Sequence, residues 1–516
     1  MKSCKSVALL LSAAALLACE ADSDGVFTID ATGHLNGLVY IDRNANGELE
    51  LIDAPARGVG VTLVTPGSQQ VIAGATTDAN GEYEFPNVPV GRYSLMVQTA
   101  SLGDSLQFAS IDSATITVAA NDTATAIIAV GYQQIPIARL FTVTEGRRVI
   151  IEGVALNALS AFGDSTLHVA DTSGVLRALR VVAPATIQAG DTVRLLGAVT
   201  VTQTSTTIAD ATAFRVAQAP LTRTPVLLST AAAATANDLA LAFDLVRIDS
   251  ATIVSRQILP GNELQLNVDD GSGIATVVLD PSGQFGSQPN MVEGALLDAT
   301  GLLVPTQDGT GWILKPRNAQ DVNASIQRVT IAQARALPAD RLVEIEALAL
   351  NARSAFTDFS VHIVDNTGSL RAVQVPNVPL AQGDSVRFVA RIAIIEGHTI
   401  LTSVSPTVLL QNRALPAPMV LSTLDASAAD GGTLDAALVH IDSASITDAG
   451  TVGGVFVVGI NDGSGRLEVR PSPQINTSGL VVGASVRVTG LLVPISGSAS
   501  WMLRPRVQSD IEIISP

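Results

Sequence analysis

Polar and apolar residues alternate in short runs along most of the chain beyond residue 34. The runs at residues 38–41, 59–65, 83–85 and 149–156 are separated by Gly, Pro, Asn and Asp. Alternation with a period of two is typical of half-buried strands, and the intervening residues are turn formers. We therefore predict an all-β chain. The alanine-rich stretch 231–241 is the exception, and it predicts a short helix that packs at the start of a barrel.

The pattern beyond about residue 138 repeats itself. Asn157-Ala-Leu-Ser-Ala-Phe162 recurs as Asn351-Ala-Arg-Ser-Ala-Phe356, and Trp312-Ile-Leu-Lys-Pro-Arg317 recurs as Trp501-Met-Leu-Arg-Pro-Arg506. The repeat is roughly 190 residues long, which is enough for two small domains. Each copy divides again into halves with the same order of strands and turns. We predict four barrels in an A-B-A-B order: A1 (139–218), B1 (219–326), A2 (327–413) and B2 (414–516).

These four segments resemble the OB-fold modules of bacterial secreted and surface proteins, including modules found beside extracellular nucleases. The resemblance rests on Ile331-Ala-Gln-Ala-Arg-Ala-Leu-Pro338 followed by Val343-Glu-Ile-Glu346, on aspartate–glycine hairpins such as Asp269-Asp-Gly-Ser-Gly273, and on the Trp-x-Leu-Lys/Arg-Pro-Arg endings. It implies tandem OB-like β-barrels. We find no nuclease or phosphatase domain in the sequence, so the activity of those relatives does not carry over.

Residues 34–130 have shorter strands and predict a compact β-sandwich. A loop of twelve residues within it places oxygen-bearing side chains at positions 1, 3, 5, 9 and 12, with Gly47 at position 6. Ca2+ takes six to eight oxygen ligands on a sharply turned loop. The predicted ligands are the side chains of Asp42, Asn44, Asn46, Glu50 and Asp53 and the carbonyl of Glu48. The alternative is a solvated turn rich in Asp and Asn that holds no metal.

The same segment resembles the B-type repeat of Gram-positive surface adhesins and, more loosely, the carboxypeptidase regulatory-like domain. The motifs are Gly37-Leu-Val-Tyr-Ile-Asp42, the loop that follows it, Thr77-Asp-Ala-Asn-Gly-Glu-Tyr-Glu-Phe85 and Gly91-Arg-Tyr93. The resemblance implies an Ig-like or prealbumin-like sandwich that is stiffened by structural calcium. Position 12 is Asp53, whereas a longer Glu would chelate Ca2+ in a bidentate way more easily.

The N-terminus carries a targeting signal. Lys2 and Lys5 precede an apolar run at 7–17, and Leu16-Leu-Ala-Cys19 resembles a bacterial lipobox. The resemblance implies a lipoprotein signal peptide (1–18), cleavage before Cys19 and attachment of diacylglycerol to its sulfur. An acidic tether (19–33) would follow. The expected location is the bacterial cell envelope, at the outer membrane or cell surface, with the lipid as membrane anchor; the alternative is an ordinary cleaved secretory peptide.

Charge and aromatic content restrict the partners. The formal net charge is −17, and loss of Lys2 and Lys5 leaves 28 basic against 47 acidic residues, a net charge of −19. Such a surface repels nucleic-acid phosphate, and an aromatic content of 3% leaves few rings on which bases stack. We therefore expect a protein or glycan ligand and no nucleic acid. Since Cys4 leaves with the leader, no internal disulfide is expected.

The chemical motifs of common enzymes are missing from the sequence. The five histidines form no H-E-x-x-H or Cys/His cluster, no G-x-S-x-G occurs, and no phosphate-binding glycine loop opens a helix. His168 and His362 occupy equivalent repeat positions, which suits either burial in a barrel or a pair of ligands. We predict a protein that is not an enzyme.

The best binding constellation lies at the end of each repeat, where an aromatic ring stands beside cations. It comprises Trp312, Lys315 and Arg317 in the first copy and Trp501, Arg504 and Arg506 in the second. Such a group could stack a base, a sugar ring or an aromatic side chain. Strand alternation supports the other interpretation, in which these side chains lie partly in the barrel core.

The leading hypothesis is a non-catalytic surface lipoprotein for adhesion, scaffolding or recognition of a protein or glycan. The alternative is an OB-fold binder of oligosaccharide or single-stranded nucleic acid that serves a partner hydrolase. A third hypothesis is a hydrolase accessory with residual activity.

Overall fold

The structure, a computed structural model, describes residues 31–111, 115–202, 205–286, 290–306 and 308–515. Within these ranges the chain forms two compact units. The first ends at Gln134 and also includes Arg147–Ile150, and the second comprises Ile135–Gly146 and the chain from Ile151 onward. Strands make up most of the regular structure in both units, which confirms the all-β prediction.

The first unit is a sandwich of two sheets. Its strands are β1 (Thr32–Asp42), β2 (Ala54–Pro55), β3 (Gly60–Val64), β4 (Val71–Thr76), β5 (Glu82–Pro89), β6 (Gly91–Val97), β7 (Leu106–Ile111), β8 (Ile116–Val118) and β9 (Thr123–Tyr132). One sheet has the order β2-β1-β9-β7 with β5 also paired to β1, and the other has the order β4-β3-β6-β8. Leu35, Leu63, Phe85 and Ile128 fill the space between the sheets. The sandwich predicted for this region is confirmed.

Barrel A1 follows a short 3-10 helix at Ile137–Thr142. Its strands are β10 (Arg148–Ala155), β11 (Leu167–Ala170), β12 (Val175–Ala178), β13 (Thr192–Val201) and β14 (Thr206–Ala217). The sheet order is β12-β11-β10-β13-β14, and parallel bridges from Leu179 to Ala209 and from Val182 to Thr212 join its two ends. Because the ends meet, this sheet closes into a small barrel.

Barrel B1 is built from β15 (Val226–Leu227), α1 (Thr230–Ala234), β16 (Leu245–Ile258), β17 (Leu264–Asp269), β18 (Ile274–Leu279), β19 (Leu296–Pro305), β20 (Trp312–Lys315) and β21 (Val322–Ser325). The order is β15-β16-β17-β18-β20-β19-β21, and additional pairing of β16 with β19 closes the barrel. The helix predicted for 231–241 is wrong in length. It ends at Ala234 because Ala236, Asn237 and Asp238 adopt positive φ, which a right-handed helix excludes.

Barrels A2 and B2 repeat the same two plans. A2 comprises β22 (Gln327–Arg328), α2 (Ile331–Ala336), β23 (Leu342–Ala349), β24 (Val361–Val364), β25 (Ser369–Ala372), β26 (Ser385–Ile395) and β27 (His398–Leu410). B2 comprises β28 (Met419–Val420), α3 (Thr423–Ala428), β29 (Leu438–Val452), β30 (Val455–Asn461), β31 (Arg466–Val469), β32 (Ser485–Pro494), β33 (Trp501–Arg504) and β34 (Ile511–Ser515). Pairing of β23 with β26 and of β29 with β32 closes them. The prediction of tandem OB-like barrels is thus supported by four small closed sheets.

An aspartate in the central hairpin of each barrel holds the start of that barrel's short helix. The carboxylate of Asp171 accepts the N–H of Ile137 at 2.8 Å, and that of Asp365 accepts the N–H of Ile331 at 2.8 Å. In the B barrels the acceptors and the first helical residues are Asp270 with Thr230 and Asp462 with Thr423. A carboxylate at a helix N-terminus satisfies a free N–H and suits the helix dipole.

Barrel A2 also contacts barrel B1 directly. The N–H of Leu342 donates to the carbonyl of Gly294 at 3.0 Å, and Arg391 Nη2 donates to the carbonyl of Glu293 at 3.0 Å. Gly294 has a φ of +85°, and a Cβ there would lie 2.7 Å from the carbonyl oxygen of Asp340. The two barrel pairs are therefore joined through a position that only glycine fits.

None of the helices in the described ranges combines the length and the hydrophobicity that a bilayer-spanning helix needs.

Candidate functional site

Each repeat folds as a pair of barrels, and an arginine closes the contact between them. Arg317 of barrel B1 donates Nη1 to the carbonyl of Leu156 in barrel A1 at 2.8 Å. Its Nε and Nη2 donate to both carboxylate oxygens of Asp321 at 2.7 and 2.8 Å. Arg506 makes the same contacts in the second pair, with Asp510 at 2.8 and 2.9 Å and with the carbonyl of Leu350 at 2.9 Å. We call this arrangement the arginine clasp.

The Lys or Arg two residues before the clasp arginine also faces the partner barrel. Lys315 Nζ lies 5.0 Å from the ring centre of Phe162 and within 3.4 Å of the carboxylates of Asp280 and Glu263. In the second pair, the Arg504 guanidinium lies 3.8 Å from the ring centre of Phe356. The repeated Asn-x-x-Ser-Ala-Phe and Trp-x-Leu-Lys/Arg-Pro-Arg motifs therefore meet at the contact between the barrels.

The two tryptophans are buried, Trp312 within barrel B1 and Trp501 where barrel B2 meets barrel A2. Trp312 is 8% exposed and packs edge to face with Phe243, with ring centres 5.4 Å apart. Trp501 is 5% exposed and packs in the same way against His398 at 5.0 Å. The structure thus brings the six predicted binding residues together as two groups of three at barrel contacts. Recognition of a ligand by these groups stays a prediction.

A cleft of about 1100 Å³ opens between barrels A1 and B1, beside Lys315. Sequence reasoning missed most of its charged lining. Arg177 Nη2 donates to Asp164 at 3.1 Å, while Lys315 is paired with Asp280 and Glu263. Hydroxyl groups of threonine and serine line the A1 side. The recurrence of Arg177 as Arg371 was visible in the sequence, but nothing local showed that it faces a second barrel.

The hairpin that borders this cleft differs between the two repeats. In barrel A1 the loop after β13 contributes Ser205 to the cleft lining. His398 holds the equivalent place in barrel A2, and its ring lies on Trp501 of barrel B2. Next to it, Ser496 Oγ of B2 donates to Glu396 at 2.8 Å. The second hairpin therefore contacts its partner barrel, and the described part of the first, Ser205, lines the cleft.

The two histidines at equivalent repeat positions are fully buried and neutral. His168 and His362 are 0% exposed. Burial lowers the pKa of His168 to about 3 and lowers the pKa of His362 well below its usual value. His168 Nδ1 lies 2.9 Å from the carbonyl of Phe243, and His362 Nδ1 lies 3.1 Å from Asn351 Oδ1. Of the two interpretations of this pair, burial in the barrel is the one that the structure shows.

The predicted calcium loop is curled by its own hydrogen bonds. Asp42 is buried, and its two oxygens accept the N–H groups of Asn46 at 3.3 Å and Gly47 at 2.8 Å. Gly47 has the positive φ, +79°, that the turn requires. Glu50 Oε2 accepts the side-chain amides of Asn44 at 2.8 Å and Asn46 at 3.0 Å.

The far end of the loop is held in the same way. Asp53 accepts the N–H groups of Arg43 at 3.0 Å and Glu50 at 2.9 Å, while Glu48 donates its own N–H to Asn46 Oδ1 at 2.9 Å. Within the described ranges, no three His, Cys, Asp or Glu side chains already converge as a metal-holding group. The oxygens on one turned loop suit a hard cation if the carboxylates turn inward. Cys19, the predicted lipid attachment point, lies outside the described residues.

Comparison with solved structures gives distant likenesses. They include a murine DNA-binding protein bound with double-stranded DNA (13% identity, 34% of this chain, 99% of that chain, TM-score 0.21). The tetrameric p202 HIN2 (13%, 33%, 95%, 0.17) and a replication protein A heterotrimer bound to single-stranded DNA (7%, 53%, 94%, 0.17) are others. At these TM-scores the likeness carries no conclusion about this chain.

No curated protein matches the sequence. Residues 50–131 match the carboxypeptidase regulatory-like domain family. This span runs from the candidate calcium loop to the last strand of the first sandwich. The chain therefore contains a carboxypeptidase regulatory-like, Ig-like domain near its N-terminus, followed by OB-like barrels.

Proposed function

We propose that the protein is a non-catalytic lipoprotein of the bacterial cell envelope that acts in adhesion, scaffolding or recognition of a ligand. An Ig-like domain followed by OB-like barrels suits a binding or scaffold role. The lipid on Cys19 would anchor the chain, with about 0.8 kcal/mol contributed by each buried CH2 group. The acidic tether would hold the first domain off the membrane.

The repeated arginine clasp carries this proposal. Arg317 and Arg506 each hydrogen-bond across the contact between two barrels, and their side chains are only 12% and 4% exposed. A buried guanidinium that satisfies a carboxylate and a carbonyl sets one relative orientation of two domains. Rigid pairs of domains present surfaces at fixed spacing, which is the requirement of a scaffold or adhesin.

The charged groups of the first cleft also favour binding over reaction. Lys315 and Arg177 are paired with carboxylates, and the nearby His168 is neutral and buried. A general acid or base needs a pKa near the working pH and access to substrate. His168 has neither property.

Membrane anchoring is tested by replacing the lipidated cysteine. We expect the wild-type chain, expressed in a bacterium with a lipoprotein pathway, to take up an alkyne-labelled fatty acid and to be cleaved by protease added to intact cells. Cys19→Ser should abolish the labelling and release the protein from the membrane. Cys4→Ser is the matched control, since that residue leaves with the leader. Equal labelling of both variants would contradict the proposal.

The adhesive role is tested separately on intact cells. Cells that display the wild-type chain should attach to immobilised glycans or matrix proteins more strongly than cells that display the first domain alone. Equal attachment would show that the barrels do not contribute to adhesion, and it would not bear on the lipid anchor.

A further inference from the structure

We propose that the cleft between barrels A1 and B1 binds an uncharged oligosaccharide, and that the second barrel pair has lost this site. The inference rests on the proposed binding function and specifies its ligand. The cleft measures about 1100 Å³. Sites for small molecules are typically about 300–1000 Å³, so there is room for several sugar units.

The charges of the cleft favour a ligand without net charge. Arg177 is held by Asp164, and Lys315 is held by Asp280 and Glu263, so each cation already has a carboxylate partner. These five groups carry three negative and two positive charges. A phosphate or sulfate chain would gain no unpaired cation and would meet surplus negative charge.

Sugar hydroxyls can hydrogen-bond both to the carboxylates and to the cations of the cleft. A hydroxyl is both a donor and an acceptor, so neighbouring hydroxyls can donate to Glu263 and accept from Arg177. Arg177 Nε has no hydrogen-bond partner among the described residues although it is shielded from solvent. Hydrogen bonds to charged groups contribute more than those between neutral groups. Pro305 and Ile313, which are partly exposed, offer apolar surface for the C–H faces of a sugar ring.

The strand edges beside the cleft are occupied, which disfavours an extended peptide. Strand β18 is bonded to β17 on one side and to β20 on the other. On the A1 side, the N–H of Leu179 donates to the carbonyl of Ile208 at 2.9 Å, which closes the barrel. A peptide that adds a strand needs an open edge. Recognition at this cleft must therefore come from side chains, as with a glycan.

Three differences in the second pair support the loss of the site there. His398 replaces Ser205 in the hairpin and covers Trp501. Ala436 stands where the first pair has Phe243, the ring that packs on Trp312. Asp358 binds Arg504 at 2.8 Å, so this carboxylate is directed to the barrel contact. The repeats share a scaffold but differ at the positions that form the cleft.

The test uses the full chain and a panel of defined probes. Maltohexaose, cellohexaose, chitohexaose and mannohexaose are titrated calorimetrically, together with a heparin hexasaccharide and oligo-dT. At least one uncharged hexasaccharide should bind, and its affinity should change little between about 50 and 300 mM NaCl. Ser205→Trp fills the cleft and should weaken that binding by about tenfold or more.

Two further variants make the result specific. Glu263→Gln removes one acceptor without a change of volume and should weaken binding several-fold. Ser478→Trp places the same bulk on an exposed position of barrel B2 and should leave the affinity unchanged. Each variant is compared with wild type by thermal unfolding, so that a folding defect is separated from loss of the site.

The proposal is overturned if no uncharged hexasaccharide binds, if only heparin or oligo-dT binds with an affinity that falls with salt, or if a folded Ser205→Trp variant binds as wild type does. Lipid labelling of Cys19 and surface display are independent of this titration. A negative titration would therefore disprove the glycan site without contradicting the proposed lipid-anchored scaffold.

Discussion

Arg506 shows how much one buried side chain contributes to the pairing of barrels. Its guanidinium satisfies Asp510 and the carbonyl of Leu350, and Asp510 is itself only 6% exposed. Removing the arginine leaves a buried carboxylate without its partner. Removing one partner of a buried ion pair lowers stability strongly, because the remaining charge stays buried and unpaired. Replacing both partners by apolar residues is often nearly neutral.

We expect Arg506→Ala to lower the free energy of unfolding of the second barrel pair by about 3–5 kcal/mol. Urea unfolding of the full chain, followed by tryptophan fluorescence, measures the change. Arg487→Ala is the matched control, because Arg487 pairs with the exposed Glu512 and such surface pairs contribute about 0–1 kcal/mol. Similar losses for the two variants would show that the clasp does not stabilise the contact.

His168 and His362 predict that stability depends on pH in a mildly acidic range. The folded-state pKa of His168, about 3, lies below its usual value of 6.5. Between these values the unfolded chain binds the proton and the folded chain does not, so stability falls as the pH decreases from about 6.5 toward 3. Burial in the barrel is the cause, and His362 shifts in the same direction.

The measurement is the urea midpoint between about pH 7.5 and 5.5, above the range where most carboxylates titrate. The double variant His168→Gln, His362→Gln should show a shallower loss than wild type. His34→Gln, at an exposed position of the first domain, should keep the wild-type slope. An unchanged slope in the double variant would contradict neutral burial.

At the scale of elements, the loop between β1 and β2 predicts a calcium effect confined to the first domain. Calcium at about 100 times its Kd should stabilise that domain by about 2.7 kcal/mol, since only the folded loop collects the ligands. Differential scanning calorimetry of the full chain, with Ca2+ and with EDTA, measures the shift. Asp42→Asn should abolish it.

Asp78→Asn provides the control for that experiment. Asp78 accepts the N–H groups of Asn80 and Glu82 in a different turn of the same domain, outside the loop. It should keep the full calcium shift. If EDTA leaves every transition of the wild-type chain in place, calcium does not bind this loop.

The elements also show where sequence reasoning succeeds and where it stops. The period-two pattern and the turn residues predicted strands, hairpins and a repeated pair of barrels, because these features depend on neighbouring residues. The helix that begins at Thr230 was predicted too long, since the alanine-rich composition was given more weight than Asn237 and Asp238, two residue types that tolerate the positive φ they adopt here. Asp270 was correctly placed in a hairpin, but its bond to Thr230 joins residues that are far apart in sequence.

The candidate sites differ in the same way. The oxygen spacing of the loop from Asp42 to Asp53 is local and was visible. The clasp of Arg317 on Leu156 and the cleft beside Arg177 require knowledge of which barrel faces which. The sequence aligns Ser205 with His398, but only the fold shows that Ser205 lines a cleft and that His398 packs on Trp501.

At the scale of the molecule, the barrels should be stable as pairs rather than singly. Besides the clasp, a second apolar cluster joins A2 to B2 through Leu350, Phe356, Leu438 and Leu491. Separating the barrels would expose these side chains to water. The pair, and not the barrel, is therefore the expected folding unit.

We expect residues 414–516 alone to melt about 10 °C or more below the same barrel within residues 327–516. Calorimetry of both fragments at equal concentration gives the comparison. Arg506→Ala in the longer fragment should move its melting temperature toward that of the isolated barrel. Equal melting temperatures for the two fragments would mean that each barrel folds independently of its partner.

The glycine that joins the two pairs has a wider consequence. Gly294 receives the backbone of Leu342, and its counterpart Gly483 keeps the same kind of conformation, with a φ of +94° and open space around it. The second pair therefore keeps the glycine conformation that the first pair uses to contact the next barrel. Duplication of a whole pair would therefore copy this glycine together with the barrels, so that each added pair would carry the position through which the next one can be joined.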